Sequence, residues 1–169
     1  MTQVTVAFST TEYPGDFNLK NSSEGNEPFL LEDEFKGKRD WRLLDPRFLD
    51  QAPDGYGTAL HFFSKEAYRF YLPAYLMADM HGLLQKSDPV FSLTSDFTND
   101  RIHQPVNPLR YGNETWGEYG RDRFAIFNRQ ESEAIVAYLM LMSGLTPFRK
   151  EEIDQALASY WTPRNSDKP

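Results

Sequence analysis

The sequence predicts a mainly α fold: a single helical domain over residues 1–161 around a buried, proline-kinked central helix, then a flexible tail over 162–169. Three observations carry this expectation. Residues Ser64–Leu84 hold Tyr68, Phe70, Tyr71, Leu72, Tyr75 and Leu76 around Pro73 with almost no polar face, and a helix apolar on all sides is one that other elements surround. Apolar residues elsewhere recur at helical spacing. Capping residues and stop signals bracket those stretches.

In chain order, Tyr13-Pro14-Gly15-Asp16 reads as a turn, because proline presets φ and glycine supplies the permissive position. Glu27–Lys38 reads as a helix with Phe29, Leu30, Leu31 and Phe35 as its buried stripe, its acids early and its lysines late, as the helix dipole prefers. Trp41, Leu43, Leu44, Phe48 and Leu49 cluster around Asp45-Pro46, a natural N-cap followed by proline at the first helical position. Ser64 can cap the central segment, where Pro73 removes one ladder bond and kinks the helix. Pro89–Phe97 forms another short helix. Asn128-Arg129-Gln130-Glu131 resembles a capping box opening a helix to about Ser143, with Gly144 as its C′ glycine. Thr146-Pro147 opens the last helix, whose stripe is Ile153, Leu157, Tyr160 and Trp161. The Ser64–Leu84 and Gln130–Ser143 elements are expected to cross, with helices 27–38 and 147–161 packed outside.

Residues 2–9 are β-branched and loosely alternating, which favours a strand on propensity; a short helix is the rival. The alternative fold is therefore α+β, with a small sheet of residues 2–9 and 56–63. Residues 99–123 show no sustained period and hold Pro105, Pro108, Gly112, Gly117 and Gly120. A structureless stretch of this length is uncommon and tends to be functional or mobile.

Composition bounds the chemistry. The chain has 169 residues, 40% hydrophobic, 15% aromatic and 25% charged, which is ordinary globular material. A net charge of −7 argues against a phosphate-backbone binder. The absence of cysteine removes disulfides, thiol nucleophiles and zinc-thiolate sites. Residues 1–13 lack the basic n-region and long apolar h-region of a secretory signal, so none is expected, and no apolar run reaches the ~18 residues of a membrane span. The expected setting is cytoplasmic, with no nucleic-acid or membrane partner.

Catalytic signatures are missing. The histidines are His61, His81 and His103, and no pair has the i, i+4 spacing that places two metal ligands on one helix face. The chain contains no G-x-S-x-G, G-x-G-x-x-G or Walker A motif. No cofactor or metal is expected. Two groups stand out instead. Asp79 and His81 fall among apolar residues of the central helix, and with Arg69 they form a candidate polar pocket; a satisfied core carboxylate and a packed imidazole are the alternative. Arg110, Tyr111, Trp116, Tyr119 and Arg121 are of the types enriched at binding hot spots. They form either a binding surface or a lid on the core.

Tyr13-Pro14-Gly15-Asp16, the helix ending at Phe35, Trp41 with Leu44, and Phe62–Ala67 leading into Arg69-Phe70-Tyr71-Leu72-Pro73-Ala74-Tyr75-Leu76 together resemble a family of uncharacterised bacterial proteins with an R-[FY]-Y-L-P-A-[FY]-L signature. The resemblance covers residues 4–84 and resumes at 124–142. It implies a small, mostly helical, intracellular domain of unknown function, and it transfers no functional residue.

The reading that best fits these features is a non-enzymatic interaction protein, an accessory or inhibitor-type subunit whose partner is another protein or a second copy of the chain. A small-molecule binder or enzyme using the Arg69/Asp79/His81 pocket is the alternative.

Overall fold

Side chains of Asp45, Ser64, Asn107, Thr115 and Asn128 cap the backbone and set where five of the described helices begin. The computed structural model describes residues 3–51 and 59–166. Among them the regular elements are helices, with two isolated antiparallel bridges and no strand. The mainly α expectation holds. The chain groups into two compact units, Met1–Pro89 and Val90–Pro169.

The first unit opens with α1 (Gln3–Ala7) rather than a strand. Val4, Ala7 and Phe8 are buried, and that i, i+3, i+4 spacing outweighs β propensity. Of the expected sheet's second segment, residues 56–58 lie outside the described residues, and α4 (Ala59–Phe62) is helical. The β alternative is corrected.

Helix α2 (Glu27–Phe35) is shorter than expected. Lys36 leaves the helical region at φ −54°, ψ 129°, and Gly37 follows at φ +74°, a conformation glycine adopts without steric cost. Its buried face is Pro28, Leu31 and Phe35, one turn apart, whereas Phe29 and Leu30 are exposed. Asp45 caps α3 (Pro46–Leu49) as the sequence predicts, its side chain accepting from the Arg47 amide at 2.8 Å. Trp41 and Leu49 are buried, but Leu43 is not.

Helix α5 (Lys65–Met80) runs unbroken through Pro73 and buries ten of its sixteen residues, so it is enclosed. Ser64 caps it, Oγ accepting from the Ala67 amide at 3.0 Å. The helix stops four residues before the expected end, where Gly82 turns at φ +66°, and Leu83 is exposed. Around α5, the Phe35, Phe63 and Tyr71 rings meet with centroids 4.8–5.2 Å apart, the spacing of favourable ring pairs. The Tyr71 hydroxyl reaches the carbonyls of Phe35 (3.2 Å) and Lys38 (2.9 Å), so it holds the end of α2, where helical carbonyls lack intrahelical donors. Burial first, and then Tyr13, push the Tyr71 hydroxyl far above the ordinary phenol value. Asp50, just after α3, accepts backbone N–H bonds from Gln85, Lys86 and Ser87 at 2.8–3.1 Å and ties the exit of α5 to α3. Burial raises the Asp50 carboxyl, but those three donors outweigh it and hold it below the usual range.

The second unit begins within α6 (Pro89–Thr94), which continues into a 3₁₀ turn at Ser95–Phe97. Residues 99–123 are not structureless: they form α7 (Pro108–Tyr111) and α8 (Trp116–Phe124). Helix α9 (Arg129–Leu145) begins with the expected capping box between Asn128 and Glu131. It extends past Gly144, which is therefore a helical residue and not the C′ glycine; Thr146 closes the helix instead. A 3₁₀ turn (Pro147–Arg149), α10 (Lys150–Ala156), a π-helical turn (Leu157–Trp161) and α11 (Thr162–Ser166) complete the chain. The wider π turn buries the neighbouring residues Tyr160 and Trp161 together. Tyr160 stacks on Phe97 at 4.4 Å, and the Trp161 indole donates to the Leu93 carbonyl at 2.9 Å. Where a frayed tail is expected, Arg164 donates to the Tyr160 hydroxyl (2.6 Å), Ser132 Oγ (3.1 Å) and the Ala125 carbonyl (3.3 Å).

Removing the Tyr71 hydroxyl takes the donor from the Lys38 carbonyl and one of two donors from the Phe35 carbonyl, which also accepts from the Lys38 amide at 3.1 Å. Tyr71→Phe is expected to destabilise the protein by about 1–2 kcal/mol in urea unfolding; an unchanged midpoint would contradict this role.

Candidate functional site

The side chains best placed to act together lie in the second unit, on and beside α8. Two glycines position that helix. A Cβ at Gly117 would fall 2.6 Å from Ile102 Cγ1 and 2.9 Å from the Ile102 carbonyl oxygen; one at Gly120 would fall 2.8 Å from Phe97 Cζ and 2.9 Å from Asp96 Cβ. Real Cβ atoms do not approach so closely, so the helix can lie on the Ile102 segment and the 3₁₀ turn only with glycine at both positions. The Gly117 amide donates to the Ile102 carbonyl (3.0 Å) and the Trp116 amide to that of Gln104 (2.9 Å). The start of α8 is fixed by a second capping box. Thr115 Oγ1 accepts from the Glu118 amide (3.3 Å), and Glu118 Oε2 accepts from the Thr115 amide (2.8 Å). The Glu118 carboxylate also accepts from the Thr115 hydroxyl (2.9 Å), and the amide bond first and then this one hold it below its usual range.

So seated, α8 arranges a row of planar groups. The Arg101 guanidinium lies 3.7 Å over the Trp116 ring, within the range of cation–π attraction. Trp116 meets Tyr119 edge-on at 5.9 Å, and Tyr119 meets Tyr111 edge-on at 6.0 Å. Arg110 sits over Tyr111 at 5.3 Å. Trp116, Tyr119 and Arg101 are half-buried, Arg110, Tyr111 and Arg121 are exposed, and Leu109 projects fully into solvent. The structure thus brings Tyr111, Trp116 and Tyr119 together, with Arg110 at one end. Arg121 lies on the same helix, its Nη1 3.2 Å from the position a Gly117 Cβ would take. The sequence reading misses Arg101, which lacks any motif around it. It also misses the Thr115-x-x-Glu118 capping signal.

Beneath this row lies Asp96, almost fully buried. Arg123 approaches it at 4.0 Å and also donates to Ser92 Oγ at 3.1 Å. Ser95 Oγ donates to Asp96 Oδ1 at 3.4 Å, and Oδ2 has no hydrogen-bond partner among the described residues. Burial pushes the Asp96 carboxyl up against the lowering pull of Arg123 and Arg101. Burial likewise raises the Tyr119 hydroxyl, opposed by Arg123. A perturbed buried carboxylate is a functional-site signal, but the oxygen is sealed from water and a substrate cannot reach it. Asp96 lies packed beneath α8, facing Arg123 of that helix.

The first unit does not assemble the other candidate pocket. Arg69 and Asp79 are ten residues apart on α5, about 15 Å along the axis, and both are half-buried. His81 is exposed at the helix end. The buried Tyr75 hydroxyl, one turn before Asp79 on α5, has no hydrogen-bond partner among the described residues. No cluster of three or more His, Asp or Glu that could hold a metal occurs among the described residues, and none of their helices is long and apolar enough to cross a membrane.

A family model described as a family of unknown function, DUF6714, matches residues 2–165. The chain belongs to this family. No curated protein and no solved structure matches it. DUF6714 membership carries no assigned activity, so any role for the α8 surface rests on its geometry.

The Asp96 environment yields a pH test. A carboxyl raised by folding makes the native state bind protons more tightly than the unfolded chain, so this group's contribution falls as pH rises through the interval from the ordinary to the folded value. Asp96→Asn is expected to raise stability at pH 7 and leave it unchanged below the ordinary carboxyl range. A loss at pH 7 in chemical denaturation would contradict this.

Proposed function

We propose that this protein is a non-enzymatic protein-interaction module, an accessory or inhibitor-type subunit. It grips another polypeptide through the Arg101–Trp116–Tyr119–Tyr111 row. The observation that carries the reading is the half-exposed, pre-ordered line of rings and guanidinium planes.

Tryptophan, tyrosine and arginine concentrate binding energy because they bury large area at small entropic cost. Here the capping box and ring contacts already fix Trp116 and Tyr119, which reduces the ordering cost of association. Exposed Leu109 adds apolar area beside the row. Between residues 99 and 123 the four acids Asp100, Glu114, Glu118 and Asp122 balance the four arginines 101, 110, 121 and 123. That balance suits a polypeptide surface better than a nucleic-acid backbone.

The test is quantitative capture from native lysate with wild type, Tyr111→Ala and Arg110→Ala, each checked for an unchanged melting temperature. Wild type is expected to retain a stoichiometric protein, or a second copy of itself in sedimentation, with at least tenfold weaker retention by Tyr111→Ala. Equal retention by all three proteins, or no stoichiometric partner, would contradict the proposal.

A further inference from the structure

A second surface feature, within the first unit, belongs to a different chemistry. A cavity of about 290 Å³ opens between α1, the Trp41–Pro46 segment and the C-terminal half of α5. Its inner wall is apolar: Trp41, Ala74 and Ala78 are buried and Met77 is half-buried. Its ionisable lining residues are Arg42 and His81, both solvent-exposed and both basic, and no acid lines it. The Arg42 guanidinium is positioned, lying 4.7 Å over the Trp41 ring while bonded to Asp40 (3.3 Å) and to the Ser9 carbonyl (3.1 Å).

We infer that this cavity binds a small amphipathic carboxylate, its apolar body against Trp41, Ala74, Met77 and Ala78 and its carboxylate at the rim toward Arg42 and His81. The volume lies at the small end of ligand pockets, roughly 300–1,000 Å³, so the body is about one aromatic ring or a short branched chain. Apolar burial supplies most of the affinity. Asp40 shares the Arg42 charge, so the rim sets preference among head groups more than it adds binding strength.

The probes are 3-phenylpropionate, its amide and the matching amine, titrated into the full chain and followed by the Met77 methyl and Trp41 indole N–H resonances. Saturable shifts of both signals are expected. The amide should bind about three- to fivefold more weakly than the carboxylate, the amine more weakly still, and Arg42→Gln should reduce carboxylate binding to the level of the amide. Ala78→Leu, which fills the cavity, should abolish binding. Because Arg42 is exposed, Arg42→Gln keeps the test decisive if Ala78→Leu fails to fold. No saturable shift with any probe, equal affinity for amine and carboxylate, or unchanged binding by a folded Ala78→Leu would each overturn the inference.

Discussion

Helix α8 lies where it does because residues 117 and 120 have no side chain. Their missing methyl groups admit Ile102 on one side and Phe97 with Asp96 on the other. Everything exposed on that helix inherits its position from this contact. With the two glycines facing inward, Trp116 and Tyr119, one turn apart, flank the buried line and reach Arg101 and Tyr111. A methyl group at either glycine would push the helix outward against close-packed neighbours, which cores resist.

The same contact joins rigidity to mobility. Phe97, beneath Gly120, stacks on Tyr160, and the π turn that buries Tyr160 also anchors Trp161 to Leu93. The base of the surface is therefore tied into the most enclosed aromatic cluster of its unit. Helix α7, by contrast, has only four residues and buries none of them. Helices so short depend on packing for their stability, so α7 opens at lower free energy than α8. The row thus has a firm end at Arg101 and Trp116 and an adaptable end at Arg110 and Tyr111, an arrangement suited to docking a polypeptide.

Local signals were legible at three helix starts where a side chain caps the backbone beside it, though not at Thr115, whose capping box sits in a stretch without helical period. Ser64, Asp45 and the Asn128/Glu131 pair all cap as their positions imply, and the enclosed character of α5 follows from its composition. Long-range placement was not legible. Gly117 and Gly120 look like helix breakers in the sequence, yet they serve as packing residues, and only the neighbour they admit reveals it. Gly144 looks like a stop because glycine often ends a helix, but it does not take the positive φ of a C′ glycine, and α9 continues through it to Leu145. Asp96 lies in an unremarkable Ser-Asp-Phe and becomes buried only when α8 covers it. Arg69, Asp79 and His81 share one helix, but sequence proximity concealed the axial distance that separates them.

The seating of α8 is the claim from which the surface and its proposed role both follow. Nuclear Overhauser spectroscopy on the isotope-labelled full chain tests it most directly. Strong cross-peaks are expected between the Gly120 Hα protons and the Phe97 ring, with the Gly120 resonances displaced by that ring's current. Gly120 Hα protons at ordinary shifts, with no cross-peak to Phe97, would contradict it.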